Sequence, residues 1–174
     1  MHVALLKPSD AKQYRELMLE AYELAADAFT STAEERAAEP EDFWIKRIAD
    51  PKGQTAAFGA FNGQALLGTV ALEFSSKPKT RHKALVIGMY VAPAARVAGV
   101  GRALMNAIIE HARAKEQILL LTLTVTEGNE PAISLYRSCG FRAFGVEPMA
   151  ILTPSGYKGK VHMWHSLQRP PSAA

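Results

Sequence analysis

Met89-Tyr90-Val91-Ala92-Pro93-Ala94-Ala95-Arg96-Val97-Ala98-Gly99-Val100-Gly101-Arg102-Ala103 decides how this 174-residue chain is read, because it carries an apolar strand through a glycine-bearing turn into an amphipathic helix. The first turn of a helix holds backbone N–H groups without intrahelical partners, and the macrodipole places partial positive charge there, so an anion is favoured at that end. Gly99 and Gly101 lack a Cβ and let a ligand approach the main chain. Arg96 and Arg102 flank the turn with guanidinium groups suited to pairs of phosphate oxygens. The segment is thus expected to seat a diphosphate on main-chain amides from Arg96 through Val97, Ala98, Gly99, Val100, Gly101 and Arg102 to Ala103.

Two phosphate-binding motifs are excluded. A dinucleotide fingerprint would need glycine or alanine where Leu104 stands, and a Walker loop needs a Gly-Lys-Ser/Thr tripeptide that the chain lacks. The pattern Arg96-x-x-Gly99-x-Gly101 behind Met89-x-Val91-x-Pro93 instead resembles the coenzyme A pyrophosphate loop of the GCN5-related N-acetyltransferases. A second block, Asn129-Glu130-Pro131-Ala132-Ile133-Ser134-Leu135-Tyr136-Arg137-Ser138-Cys139-Gly140-Phe141, is similar to that family's Asn-x-x-Ala-x-x-Leu-Tyr-x-x-x-Gly-Phe segment at every named position. It also makes local sense as a short helix. Asn129 is a good N-cap, Pro131 fits the first turn, and Gly140 suits a left-handed position after the last turn. The resemblance covers residues 85–141, and the flanks agree as a pattern of strands and helices.

The resemblance implies a fold, a cosubstrate and roles. The fold is a mixed α/β domain, with a central, mostly antiparallel sheet and one parallel crossover splayed at the coenzyme site. The cosubstrate is acetyl-CoA. Along Met89, Tyr90 and Val91, the free main-chain groups of Met89 and Val91 would hold pantetheine and the thioester carbonyl. Acetyl transfer to an amine also needs a proton for the departing thiolate. Tyr136 is the expected general acid, since a phenol with an ordinary pKa near 10 is protonated at neutral pH; the alternative is a tyrosine that only fills the core. Asn129 either contacts the coenzyme, caps its helix, or does both. Many family members carry a glutamate in the strand before the phosphate loop, yet residues 84–91 hold no carboxylate. Glu73, at the end of the preceding strand, is the first candidate base, followed by Glu127, Glu147 and His162; for each, a surface charge or a satisfied histidine is the competing explanation.

Composition narrows the setting. With 48% hydrophobic residues and no apolar run long enough to cross a bilayer, residues 1–167 are expected to form one domain with no membrane role, ending in a frayed tail at 168–174. The N-terminus lacks the basic start and apolar stretch of a signal peptide, which points to the cytoplasm. The single cysteine, Cys139, forms no internal disulfide and is expected to fill space beside the core. A net charge of +3 is explained by a phosphate-rich coenzyme, so nucleic acid is not required as a partner. No metal site is expected.

Periodicity places the remaining elements. A strand is predicted at 3–7, then a helix capped by Ser9 with Tyr14, Leu17, Met18, Ala21, Ala25 and Ala28 at helical spacing, then a polar loop at 30–39. Pro40 opens a second helix with Phe43, Trp44 and Ile48, broken at Asp50-Pro51-Lys52-Gly53. Strands at 55–61 and 65–74 meet at Asn62-Gly63, a basic loop spans 75–83, and strands follow at 84–91 and 118–125 around the phosphate-loop helix. The chain closes with an antiparallel pair, 141–152 and 158–167, turning at Thr153-Pro154-Ser155-Gly156.

The acceptor is expected to be a small-molecule primary amine. Aromatic residues on the first two helices and scattered carboxylates would enclose a compact cation. A peptide or protein α-amine is the alternative, as are a non-catalytic acyl-CoA sensor and a structural dimerisation module. The C-terminal hairpin is a candidate surface for pairing two copies into a homodimer.

Overall fold

β4 (Lys83–Val91) lies at the centre of a seven-stranded sheet whose order is β1 (His2–Leu5), β2 (Thr55–Asn62), β3 (Ala65–Phe74), β4, β5 (Leu120–Thr126), β7 (Gly156–Ser166) and β6 (Arg142–Thr153). The computed structural model describes residues 1–96 and 98–167. Val97 and residues 168–174 lie outside the described residues, and with them the expected diphosphate contact at Val97 and the expected frayed tail. Every neighbouring pair of strands is antiparallel except β4 and β5, which run parallel and are joined through α4 (Val100–Arg113). This is the mixed sheet with a single parallel crossover that the sequence implied.

Alternating side chains build a core on each face of the sheet. On one face α4 buries Val100, Leu104, Met105, Ile108, Ile109 and Ala112, a helical stripe packed with Val70, Leu72, Val86 and Leu121. On the other face α1 (Ala11–Leu24) buries Tyr14, Leu17, Met18, Ala21 and Tyr22 with Trp44 and Ile48 of α3 (Glu41–Ile48) against Ala57, Ala71 and Tyr90. α5 (Glu130–Ser138) packs Ile133 and Tyr136 into the α4-side core.

Local differences from the sequence expectations have simple causes. Residues 30–39 are not a plain loop, because they contain α2 (Ala33–Ala37). Its capping box closes when Thr32 Oγ1 accepts from Glu35 N at 3.1 Å and Glu35 Oε2 accepts from Thr32 N at 2.7 Å. Ser9 does not cap α1; it sits inside a 3₁₀ turn, Pro8–Asp10, where Asp10 Oδ2 accepts from Lys7 N at 2.7 Å. The β2–β3 turn is Gly63-Gln64, since Asn62 pairs with Ala65 and only Gly63 takes a positive φ, +59°.

Candidate active site

The site begins as a gap in the sheet. β4 and β5 pair only at Lys83–Leu120, Ala84–Leu121 and Leu85–Thr122, although β4 continues to Val91 and β5 to Thr126. Against β3, the β4 register passes from Ala71–Ile87 to Thr69–Tyr90, so three steps on β4 face two on β3. That bulge is centred on Gly88, whose φ of +62° is a left-handed conformation suited to glycine. An extra residue increases local twist and bends β4 away from β5. Ala92 N donates to Leu67 O at 2.9 Å, so Ala92 and Tyr90 turn their main-chain groups to β3. By strand alternation Met89 and Val91 turn theirs into the gap.

A cleft of about 850 Å³ occupies this gap. One wall is the turn into α4. Gly99 takes φ +74° and acts as the helix N-cap, a conformation that a residue with a Cβ adopts only at a cost of about 1–2 kcal/mol. The amides of Gly99, Val100, Gly101 and Arg102 find no acceptor among the described residues, which leaves a cradle of donors at the start of α4, beside the cleft. The ends of the expected seat are already occupied. Arg96 N donates to Pro93 O at 3.4 Å, Ala98 N to Ala95 O at 3.3 Å, and Ala103 N to Gly99 O at 3.0 Å. Val100 turns its side chain fully into the core.

The arginines flanking the turn are engaged as well. Arg102 donates to Ser138 Oγ at 2.9 Å and to Ser138 O at 3.4 Å, fastening the start of α4 to the end of α5. Arg96 Nε donates to Val91 O at 3.1 Å, and its guanidinium lies 5.8 Å from the centre of the Tyr90 ring. The Val91 carbonyl therefore already has one donor. Gly101 has a packing reason as well as an open one. A Cβ there would stand 3.0 Å from Leu135 Cδ2 and 3.3 Å from Met89 Cε.

The opposite wall is α5. Asn129 Oδ1 accepts from Ala132 N at 3.4 Å and caps the helix while the residue lines the cleft, so capping and a place at the site coexist. At the other end Phe141 N donates to Tyr136 O and Gly140 N to Arg137 O, with Gly140 at φ +91°. This 6→1 and 5→2 pair ends α5 cleanly and fixes Tyr136 in its last turns. Tyr136 is 7% exposed, lines the cleft, and its hydroxyl has no hydrogen-bond partner among the described residues. Burial, with the Cys139 thiol nearby as a smaller cause, pushes its pKa up to about 12. Cys139 itself is half-buried against the core, the space-filling place expected for it.

Tyr90 points its ring away from the α4 side of the sheet. Its side chain turns to the α1 face, where the hydroxyl donates to Glu20 Oε1 at 2.8 Å, and burial followed by that bond raises its pKa to about 12. Glu73 is not brought to the cleft. It shares the face of Ala71 and lines a separate recess with Phe43, Lys46 and Asp50. The other expected bases are engaged outside the cleft: Glu127 Oε2 accepts from Gly159 N at 3.0 Å, and Glu147 meets His162 Nε2 at 3.4 Å. No described residue lining the cleft is Asp or Glu, which overturns the expectation of carboxylates enclosing a cation. Of the aromatic residues on the first two expected helices Tyr22 alone lines the cleft, joined by Phe29 from the segment after α1 and Tyr90 from β4, while Tyr14, Phe43 and Trp44 do not. Among the described residues no group of three His, Cys, Asp or Glu is placed to hold a metal, and no helix is long and apolar enough to cross a membrane.

A strap crosses the open end of the gap. After α1, a 3₁₀ turn, Ala26–Ala28, is tied to the far strands: Thr126 Oγ1 of β5 donates to Asp27 O at 2.6 Å, and Lys158 Nζ of β7 meets Asp27 Oδ2 at 2.7 Å. The strap was not legible, because it depends on β5 and β7 arriving beside residue 27. Replacing Thr126 with valine keeps the shape and removes the shorter tie. A single hydrogen bond is worth about 1 kcal/mol, so the strap is expected to open about fivefold more often, read as faster amide hydrogen exchange at residues 26–28.

Known proteins agree with this architecture. The model of the acetyltransferase (GNAT) family matches residues 18–141. UPF0157 protein YqkA of Bacillus subtilis (strain 168) is 30% identical over 99 residues, which is 56% of this chain and 26% of that protein, so the likeness spans about a quarter of the relative's length. A GCN5-related N-acetyltransferase from Kribbella flavida superposes with a TM-score of 0.80 at 26% identity, covering 95% of this chain and 96% of the other. The structure of yncA from Salmonella typhimurium with its cofactor acetyl-CoA superposes with a TM-score of 0.81 at 18% identity, covering 100% and 98%. The gapped mixed sheet, the amide cradle at α4 and a family match over well over half its length agree: this chain belongs to the acetyltransferase (GNAT) family and has the fold of its N-acetyltransferases.

Proposed function

We propose that this protein transfers an acetyl group from acetyl-CoA to the primary amine of a small molecule, by direct attack of the amine while both substrates are bound. The observation that carries this is the gap between β4 and β5, whose cleft is lined by Tyr136 and meets the start of α4, where four amides have no acceptor among the described residues. The cleft suits the cosubstrate: the amides of Gly99, Val100, Gly101 and Arg102, which have no acceptor among the described residues, suit a diphosphate, and the open edge at Met89 and Val91 suits the amide-rich pantetheine arm. When bound, acetyl-CoA supplies an activated thioester. Met89 and Val91 would align it along the gap, Asn129 would border it, and Tyr136 would protonate the departing sulfur.

Burial makes Tyr136 a weaker acid, yet the same dry surroundings raise the pKa of the sulfur it serves. With its pKa at about 12 the phenol stays protonated across the working range. For an acceptor already neutral, kcat/KM is therefore expected to show no descending limb below about pH 11; a fall beginning near pH 9 would show that another group supplies the proton.

No Asp or Glu among the described residues lines the cleft, so the amine is expected to enter neutral or to lose its proton to water. The strap from α1 to β5 and β7 favours a compact acceptor over an extended peptide. The test follows thiol release from acetyl-CoA over a panel of small amines and N-terminal peptides. Turnover of small amines supports the proposal; turnover confined to peptides favours the protein α-amine, and binding without any turnover favours a sensor. A cytoplasmic setting suits this chemistry. Pairing of two copies is proposed through β6, an edge strand with exposed Phe144, Val146, Met149 and Leu152. Light scattering is expected to give twice the mass of the 18.9 kDa chain, and a monomer for Phe144→Lys with Met149→Lys.

A further inference from the structure

Two arginines stand together on the α1 side of the cleft, and among the described residues Glu39 is the one carboxylate within 4 Å of either. Arg36 on α2 and Arg47 on α3 flank a single ring, their guanidinium carbons 4.9 Å and 5.5 Å from the centre of Phe43. Both are half-buried and both line the cleft. Arg47 has no carboxylate within 4 Å among the described residues; Nε donates to the Tyr14 hydroxyl at 3.4 Å, and against the desolvation of its partly buried site Tyr14, Tyr22 and the more distant Glu73 favour its charged form. Arg36 meets Glu39 at 3.7 Å, and its Nε is buried with no partner among the described residues.

Two like charges held against one ring repel, and a buried donor such as Arg36 Nε costs free energy until an acceptor meets it. The coenzyme's diphosphate is a poor explanation. Its amide cradle belongs to α4, which packs on one face of the sheet, whereas α3 packs on the other. Guanidinium groups match planar or tetrahedral oxyanions through paired hydrogen bonds.

We infer that the acceptor is an amine that also carries a carboxylate or similar oxyanion, the chemistry of a free amino acid, with Arg36 and Arg47 as the clamp on its anionic end. This rests on the amine-acetylation proposal above and narrows it. The clamp would hold one end of a small molecule under the strap and direct the amine at the other end toward the β4–β5 gap. It also explains a cleft that offers cations and aromatic rings without a carboxylate.

The test compares matched pairs: L-methionine with 3-(methylthio)propylamine, and L-phenylalanine with phenethylamine and phenylalanine amide, in wild type, Arg47→Met, Arg36→Met and Arg47→Lys. Charge-assisted hydrogen bonds lead us to expect kcat/KM at least about tenfold higher for the acid than for its uncharged partner in wild type. Arg47→Met is expected to erase that preference while leaving turnover of the uncharged amine within about threefold. Arg47→Lys is expected to keep part of it. Thermal unfolding and acetyl-CoA affinity identify any variant that has merely lost its fold, and Arg36→Met on the short surface helix provides the second reading. Equal or better use of the uncharged amines by wild type, or a preference unmoved in both methionine variants, overturns the clamp while leaving amine acetylation standing. If no amine is acetylated, saturation-transfer NMR of the same compounds decides. Carboxylate-dependent binding lost in Arg47→Met upholds the clamp and counts against the proposed reaction, and no such binding overturns the clamp.

Discussion

Replacing Tyr136 with phenylalanine is expected to lower kcat about tenfold or more, with the acetyl-CoA dissociation constant changed less than about twofold, since proton transfer from a positioned side chain usually contributes on that scale or above. The substitution is clean. The ring stays in the core beside Phe141, at a centroid distance of 6.1 Å, and the hydroxyl that is removed has no hydrogen-bond partner among the described residues. Nothing is left stranded, so stability is expected to stay within about 0.5 kcal/mol. A loss of rate without a loss of fold or affinity then reports chemistry. Steady-state kinetics with calorimetry checks it, and an unchanged kcat removes Tyr136 as the acid.

Gly99→Val is expected to weaken acetyl-CoA binding about tenfold or more, for a reason that lies in the backbone. No atom stands within 4 Å of the Cβ position at Gly99, so crowding is not the issue. The φ of +74° is, because a β-branched residue at that angle is a genuine outlier. Relief of about 1–3 kcal/mol of strain would turn the first amides of α4 away from the opening they share. Gly101→Ala offers the contrast. Its Cβ meets side-chain ends, Leu135 at 3.0 Å and Met89 at 3.3 Å, which can give way, with Val91 Cγ2 in ordinary contact at 3.9 Å, so a smaller effect is expected. Equal losses at the two positions would argue for crowding of the cleft over loss of the amide cradle.

Much of this architecture was legible because it is written in local signals. The strand–turn–helix at 89–103 and the capped helix at 129–141 each carry their own start and stop residues, and both fold as those residues direct. Asn129 caps, Gly140 takes its left-handed place, and the single parallel pair falls where the crossover was expected. Features set by tertiary pairing were not legible. The depth of the β4–β5 gap depends on one bulge, for which Gly88 inside an apolar strand was the available hint. Glu73 was placed by its nearness along the chain, but strand alternation turns it to the α1 face and into a different recess. Arg96 and Arg102 were expected to grip phosphate, yet Val91 and Ser138 take up part of their donors, contacts that sequence spacing does not reveal. The thirty residues or so around α2 and α3 hid the most, since Arg36 and Arg47 gain their meaning only when both reach Phe43.

The most direct test of the central claim is a crystal structure of this protein with acetyl-CoA. We expect the diphosphate oxygens within hydrogen-bond distance of the Gly99, Val100, Gly101 and Arg102 amides, with the thioester in the β4–β5 gap and its sulfur beside the Tyr136 hydroxyl. Coenzyme bound elsewhere on the chain, or seated with its sulfur directed away from Tyr136, would contradict it.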